Sequence, residues 1–356
     1  MKRIGYLDVA RGIGMILVVL GHISFADESL RRFITSFHMP LFLMISGILL
    51  YVTKTEERSF GQIVKGKCKS ILLPYFVFSA GAILLELLRM VVKDLDLTEV
   101  LLRNVFQTLC LQGFSTFWFL PTLFLGEVLF IKVRQTCNLR KTAWAGAFLV
   151  VLMYLVSLGE QHFYQLHAGI LGYELLHDVL LVPIRAGIAG GYIFLGYFLG
   201  ILLEKRERSW RDGVLGSILL IAMAFVSSFT GFIDLRFLQI ENPFFFLLRT
   251  ICGSVGLILV CRGFKIAFDG IVGKVLMFFG QNSLIIMVTH LDYHVLNYSI
   301  KAASVVNKLI PGQVLYVTCT VLLVFVIEAF VIYIINRFFY KFLGRKTQKE
   351  HTFFTG

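Results

Sequence analysis

Charge is what this 356-residue chain has least of: Asp, Glu, Lys and Arg make 16% of it, against 57% hydrophobic residues. So small a share excludes an ordinary soluble domain, in which about a quarter of residues are charged. Proline is scarce as well, at six residues, so few helices need break at one. The six cysteines (Cys68, Cys110, Cys137, Cys252, Cys261 and Cys319) are scattered, with no C-x-x-C pair. Without metal-ligand spacing they read as small reduced core residues, and no metal is expected. No Gly/Ser/Pro-rich linker and no tandem repeat interrupts the chain. A single transmembrane domain over 1–345 with a short cytoplasmic tail, 346–356, is therefore expected.

What is present is phenylalanine, at 35 residues, and a mean hydropathy of +0.80. Apolar runs able to cross about 30 Å of hydrocarbon fall at 4–24, 37–53, 70–92, 114–133, 143–158, 179–203, 213–230, 243–263, 275–292 and 313–335. The expected fold is all-α and polytopic, with about ten transmembrane helices. The net charge of +12 does not point to nucleic acid, because the positives fall in short loops. Alternate loops hold 23 and 7 Lys and Arg, with Arg11, Arg89, Arg185 and Arg249 in or beside spans. That bias puts both termini in the cytoplasm. Lys2-Arg3, the apolar run and Ser24-Phe25-Ala26 loosely mimic a signal peptide, but Asp8 is out of place in its basic region. The segment is expected to stay as the first span. The longest outer loops are expected at 93–113 and 159–178.

The first span carries the costliest residues. At 100° per residue, Asp8, Arg11 and His22 share one helix face, and Arg11 lies about 16 Å of rise below His22. Ionisable groups aligned on a membrane helix need a polar cavity or one another. His22 can take and return a hydroxyl proton, or it can be a hydrogen-bonded packing residue. Asp8, about 21 Å below His22, is better placed to pair with Arg11. Arg11 suits a phosphate or carboxylate, or it can snorkel at the inner boundary. His38, beside Pro40 at the start of the second span, lies near the depth of His22, as a site neighbour or a helix cap. Glu127 is a carboxylate among apolar residues, with Arg185 and Arg249 as possible partners and a structural ion pair as the plainer reading. Gln281-Asn282-Ser283 and His290 make the ninth span polar, either to bond between helices or to line a cavity.

Leu7-Asp8-x-x-Arg11 with His22 resembles the opening of the membrane-bound acyltransferase-3 family. So do Phe37-His38-Met39-Pro40-Leu41-Phe42, Ile45-Ser46-Gly47, Leu73-Pro74-Tyr75, Trp118-Phe119-Leu120 and Gly280-x-Asn282-Ser283-Leu284 through His290. Within that family the opening is most similar to the fucose 4-O-acetylase-like branch. The resemblance implies an integral membrane O-acyltransferase of a bacterial-type plasma membrane. It would move acetyl from cytoplasmic acetyl-CoA, a substrate and not a resident cofactor, to a hydroxyl of an envelope carbohydrate. It makes Arg11 and His22 the essential pair with Asp8 nearby, and gives His38, Trp118, Asn282 and His290 recurrent positions. Where some members carry paired arginines, this chain has Lys65, Lys67 and Lys69, expected to hold the donor phosphates. Ser283 and Glu127 complete the expected lining. The alternative is a transporter or flippase of an envelope glycolipid, with His22, Glu127 and His290 relaying protons or binding sugar.

Overall fold

The computed structural model describes residues 4–23, 28–93, 98–167, 171–231, 233–240, 242–264 and 268–345. Lys2, Arg3, Ser24-Phe25-Ala26 and the tail at 346–356 lie outside the described residues. The apolar runs become helices: α1 (Gly5–Gly21), α2 (Glu28–Thr35), α3 (His38–Val52), α4 (Phe60–Lys67), α5 (Leu73–Val92), α6 (Thr98–Leu109) and α7 (Phe119–Thr136). There follow α8 (Leu139–His167), α9 (Leu171–Glu204), α10 (Trp210–Ser228), α11 (Pro243–Gly263), α12 (Ile271–Gln281), α13 (Ser283–Thr289), α14 (Val295–Leu309) and α15 (Gln313–Phe338). Between α10 and α11 a two-residue antiparallel ladder pairs Ile233 with Ile240 and Asp234 with Gln239.

Among the described residues, eight helical stretches are long and apolar enough to cross a membrane. The bent pair α12–α13 makes a ninth. The 17-residue α1, about 25 Å long, is a further apolar helix just short of that length. The expected all-α, polytopic architecture is what the chain adopts, with eight or nine spans by length and composition among the described residues. Two expectations fail, both of them outer loops: within 93–113, residues Thr98–Leu109 are the helix α6. The stretch 159–178 is largely helix, because α8 and α9 run on for 29 and 34 residues. At 1.5 Å per residue these are about 43 and 51 Å long, well beyond the hydrocarbon. Their far ends are clasped where Glu160 bonds His177 Nδ1, with Tyr164 stacked on that imidazole at 4.0 Å.

Glycine decides which helices meet at the centre. A Cβ at Gly12 would overlap the carbonyl oxygen of Leu276, and one at Gly280 that of Asp8, so α1 and α12 cross backbone to backbone. In the same way Gly47 of α3 faces Ile193 O of α9, and Gly196 of α9 faces Met44 O. Gly126 brings α7 onto α9 at Ala189 and Gly190. Lipid offers no hydrophobic drive between helices, so close approach at small residues supplies the packing. Helices α3, α7 and α9 are mostly buried, while α8, α10 and α15 present apolar faces outward.

Two irregularities shape the bundle. Residues Cys68–Leu72 form a π-helical turn between α4 and α5, and the wider turn relieves the clash that Pro74 would make with the carbonyl four residues before it. At Asn282 the ninth span breaks by 65°. The Asn282 amide donates to Phe278 O at 2.8 Å, capturing a carbonyl freed by the break, and its oxygen accepts from Asn336 at 3.1 Å.

Candidate active site

The described bundle holds two polar cavities on opposite sides of an apolar band. The inner one, about 660 Å³, is lined by Arg11, Ser46, Arg58, Gln62, Lys67, Glu127, Gln281 and Ser283, among others. It faces the positive-rich loops. The outer one, about 180 Å³, is lined by His22, Arg31, Thr35, His38, Ser115, Thr116, Trp118, Asp234 and Arg236 with apolar neighbours. Four elements run through both. Along α1, Arg11 faces the inner cavity, and Val18, Gly21 and His22 face the outer one. Along α3 the order is reversed, from His38 and Met39 to Phe42 and Ser46. Trp118 then Phe119, Leu120 and Glu127 at α7 follow the α3 direction, while α12–α13 follows that of α1.

The stripe Asp8, Arg11, Met15, Val18, His22 steps by three and four residues, which keeps one helix face. Asp8 sits in the first turn of α1 and pairs with Arg11 at 3.6 Å, while Gln281 donates to its other oxygen at 3.2 Å. The Gly12–Gly280 crossing brings those chains within reach. The partnership of Asp8 with Arg11, and not with His22, is what the rise along the helix requires.

Glu127 departs from expectation. Its partners are Lys67 Nζ at 2.7 Å and the Ser46 hydroxyl, which donates to Oε1. Gly47 and Gly126, one residue from Ser46 and Glu127, both press onto α9, and so bring the two polar groups together. Lys67 immediately precedes the π-helical turn. Neither Arg185 nor Arg249 reaches this carboxylate. Arg185 donates to Gln112 O at 2.9 Å and to Leu181 O at 3.3 Å, and lies over the Trp118 ring at 5.5 Å. Arg249 bonds Ser36 Oγ, Thr230 Oγ1, Gly231 O and Arg32 O. Both arginines therefore brace the outer cavity, one at Trp118 and the other at the turn before His38. Of the three lysines, Lys67 lines the inner cavity, whereas Lys65 and Lys69 are exposed outside its lining.

Two imidazoles, His22 and His38, line the outer cavity, and a third, His290, is buried behind His22. His22 caps α1, its N–H bonding Val19 O at 3.1 Å, and its side chain is exposed to the cavity. His290 packs behind it with ring centroids 5.4 Å apart. Bonded through Nδ1 to Ile286 O at 2.7 Å, neutral His290 carries its proton there and leaves Nε2 as an acceptor; that buried Nε2 has no partner among the described residues. His38 is anchored in the same way, Nδ1 to Ile34 O at 2.9 Å. Asn282 faces Asn336, away from either cavity, whereas Ser283 lines the inner one.

Arg31, Arg236, Asp234, Arg58 and Met287 did not stand out in the sequence. Arg31 and Arg236 did leave a signal, being two of only seven positives on the outer side. Arg236 sits in the tight turn of the ladder, where Asp234 Oδ1 accepts its N–H at 2.8 Å. Burial lowers the Arg236 guanidinium from its ordinary value, and Asp234, Asp292 and Asp178 oppose that by holding the charge. Nothing marked Met287, an apolar residue in an apolar run.

Two cavities set end to end across a helical bundle, one lined by Arg11, Arg58 and Lys67 and the other by His22 and His38, are the polar features of this membrane protein. The sequence model of the acyltransferase-3 family, an acyltransferase domain, matches residues 4–329, and the chain belongs to that family. It is thus a membrane-embedded acyltransferase. The match names no branch of the family. No curated protein matches the chain, and no solved structure does.

Proposed function

We propose that the protein transfers acetyl from cytoplasmic acetyl-CoA to a hydroxyl of a cell-envelope carbohydrate at the outer face of a bacterial-type plasma membrane. The observation that supports this most is α1 itself, with Arg11 in the inner cavity and His22 in the outer one. In this reading Arg11, Arg58 and Lys67 bind the donor's phosphates by charge-assisted hydrogen bonds. Asp8 and Glu127 hold Arg11 and Lys67 ready and keep the empty cavity from concentrating positive charge. The thioester-bearing arm runs up the α1 stripe toward His22.

His22 accepts the proton of the acceptor hydroxyl as its oxygen attacks the thioester carbonyl. The tetrahedral intermediate collapses, the carbon–sulfur bond breaks, and the ester forms. The departing thiolate takes the proton back from His22, so charge and protons balance. Arg31, Thr35, Asp234 and Arg236 offer donors and acceptors for sugar hydroxyls, and Trp118 a flat apolar wall. A volume of about 180 Å³ suits one glycosyl ring entering at a time.

The test uses purified protein in liposomes with labelled acetyl-CoA, and mass spectrometry of envelope polysaccharide from cells with and without the protein. His22→Ala should abolish transfer and leave acetyl-CoA binding nearly intact, whereas Arg11→Ala should weaken binding. Full transfer by His22→Ala would remove its assignment. Net movement of glycolipid with no acetylated product would make the protein a carrier.

A further inference from the structure

Between the cavities lies a thin apolar septum. Phe42 and Phe119 of its inner side meet edge to face at 6.1 Å, and Met39 and Trp118 cover its outer side. Of the residues lining these two cavities, Met287 alone lines both. It is 4% exposed, so this buried residue lies between the two cavities. Its neighbours along the chain fit this position. Ser283, four residues before it, lines the inner cavity, and Leu291, four after it, lines the outer one. Ser283 and Met287 lie along one face of α13, directly after the 65° break at Asn282, and Leu291 lies in the turn that follows the helix.

We propose that Met287 is a gate in this septum, displaced when the acyl group passes from the inner cavity to His22, and that its bulk sets the length of acyl chain admitted. The proposal rests on the acyl-transfer reading above. Among apolar side chains methionine suits the task, because it is unbranched, has three rotatable bonds and packs adaptably. In its resting position it keeps the cavities apart, so that water and ions do not cross. On displacement it opens a passage of about its own cross-section. An acetyl group needs little more than that, and a longer acyl chain must find room that Met287 fills.

The test compares wild type with Met287→Ala, Met287→Leu and Met287→Trp in proteoliposomes. One readout is efflux of trapped glycerol. The others are acetyl-CoA binding, and transfer from acetyl-, butyryl- and octanoyl-CoA to a mixture of methyl glycosides. Met287→Ala should leak glycerol where wild type is tight, and should raise the butyryl-to-acetyl rate ratio at least tenfold. Met287→Trp should bind acetyl-CoA within twofold of wild type yet transfer at least tenfold more slowly, and Met287→Leu should restore most of the rate. A tight Ala variant with an unchanged ratio, or a Trp variant with the wild-type rate, overturns the gate. If wild type itself transfers from none of the three thioesters, the acyl-CoA reading fails, and glycerol efflux alone then decides the septum: a leaking Ala variant upholds it and a tight one removes it.

Discussion

Adding one methyl group at Gly280 tests the crossing on which the inner cavity depends. A Cβ there would lie on the carbonyl oxygen of Asp8 and close to the amide of Gly12. These are backbone atoms of a neighbouring helix, so no side chain can turn away to relieve the contact. Restoring van der Waals separation requires α1 and α12 to move apart by on the order of 1 Å. Overpacking of this kind costs about 1–3 kcal/mol. The displacement also stretches the 3.2 Å bond from Gln281 to Asp8 past useful length, and a hydrogen bond to a charged group is worth about 1.5–3 kcal/mol. The combined loss is about 2.5–6 kcal/mol.

Function should suffer beyond stability, because Arg11 lies one turn from the clash and moves with α1. A misplacement of about 1 Å costs up to a hundredfold in rate when reacting groups must align. Gly280→Ala is therefore expected to lower the thermal unfolding midpoint in detergent, weaken acetyl-CoA binding and slow transfer by one to two orders of magnitude. Gly61→Ala is the control: its Cβ meets nothing within 4 Å, and alanine in a helix is favoured over glycine by up to about 1 kcal/mol. Equal midpoints and rates for Gly280→Ala and wild type would show that the two helices do not meet backbone to backbone.

Two further substitutions examine the buried polar groups. Lys67→Met strands Glu127, which keeps only the Ser46 hydroxyl, and should destabilise the protein by about 3–5 kcal/mol; Lys67→Met with Glu127→Gln should recover most of that loss in thermal unfolding, and no recovery would refute the pairing. Thr289→Val removes the hydroxyl that meets both oxygens of the fully buried Glu328, at 3.0 and 2.9 Å. It should cost at least about 1–3 kcal/mol, relieved by adding Glu328→Gln, and an unchanged midpoint would show that Glu328 has another donor.

The spans were legible because hydropathy over twenty residues is a strong signal, and the Asp8–Arg11–His22 face because helical period follows from sequence alone. Contacts between helices were not. That Glu127 meets Lys67 depends on a glycine crossing at Gly47, another at Gly126, and a π-helical turn beside Lys67; no spacing in the chain encodes their sum. Segment 159–178 was misjudged because polar residues such as Glu160 and His177 end a hydropathy run without ending a helix. Arg249 and Arg185 were read as possible partners of Glu127, but they bond backbone carbonyls and hydroxyls, which sequence cannot rank. Met287 was invisible for a simple reason. A gate made of an ordinary apolar side chain differs from its neighbours only in what lies on either side of it.

The spacing of polar pairs along the four shared helices explains how such a site works in a membrane. Arg11 to His22 spans eleven residues, Trp118 to Glu127 nine, His38 to Ser46 eight and Ser283 to His290 seven. At 1.5 Å per residue these are about 16, 14, 12 and 10 Å. Each is far less than the 30 Å or so of hydrocarbon that the spans must cross. The two cavities thus notch the bundle from both faces and reduce its dry thickness by half or more, and the remaining band is only as deep as Met15 and Val18 on α1, Phe42 on α3, Phe119 on α7 and Met287 on α13. A charged donor need not enter that band. In the proposed reaction its phosphates stay with Arg11 in the inner cavity, and only a neutral, flexible thioester arm has to cross. On that proposal the desolvation of charge that makes transmembrane chemistry costly is avoided, and the Met287 gate limits what crosses.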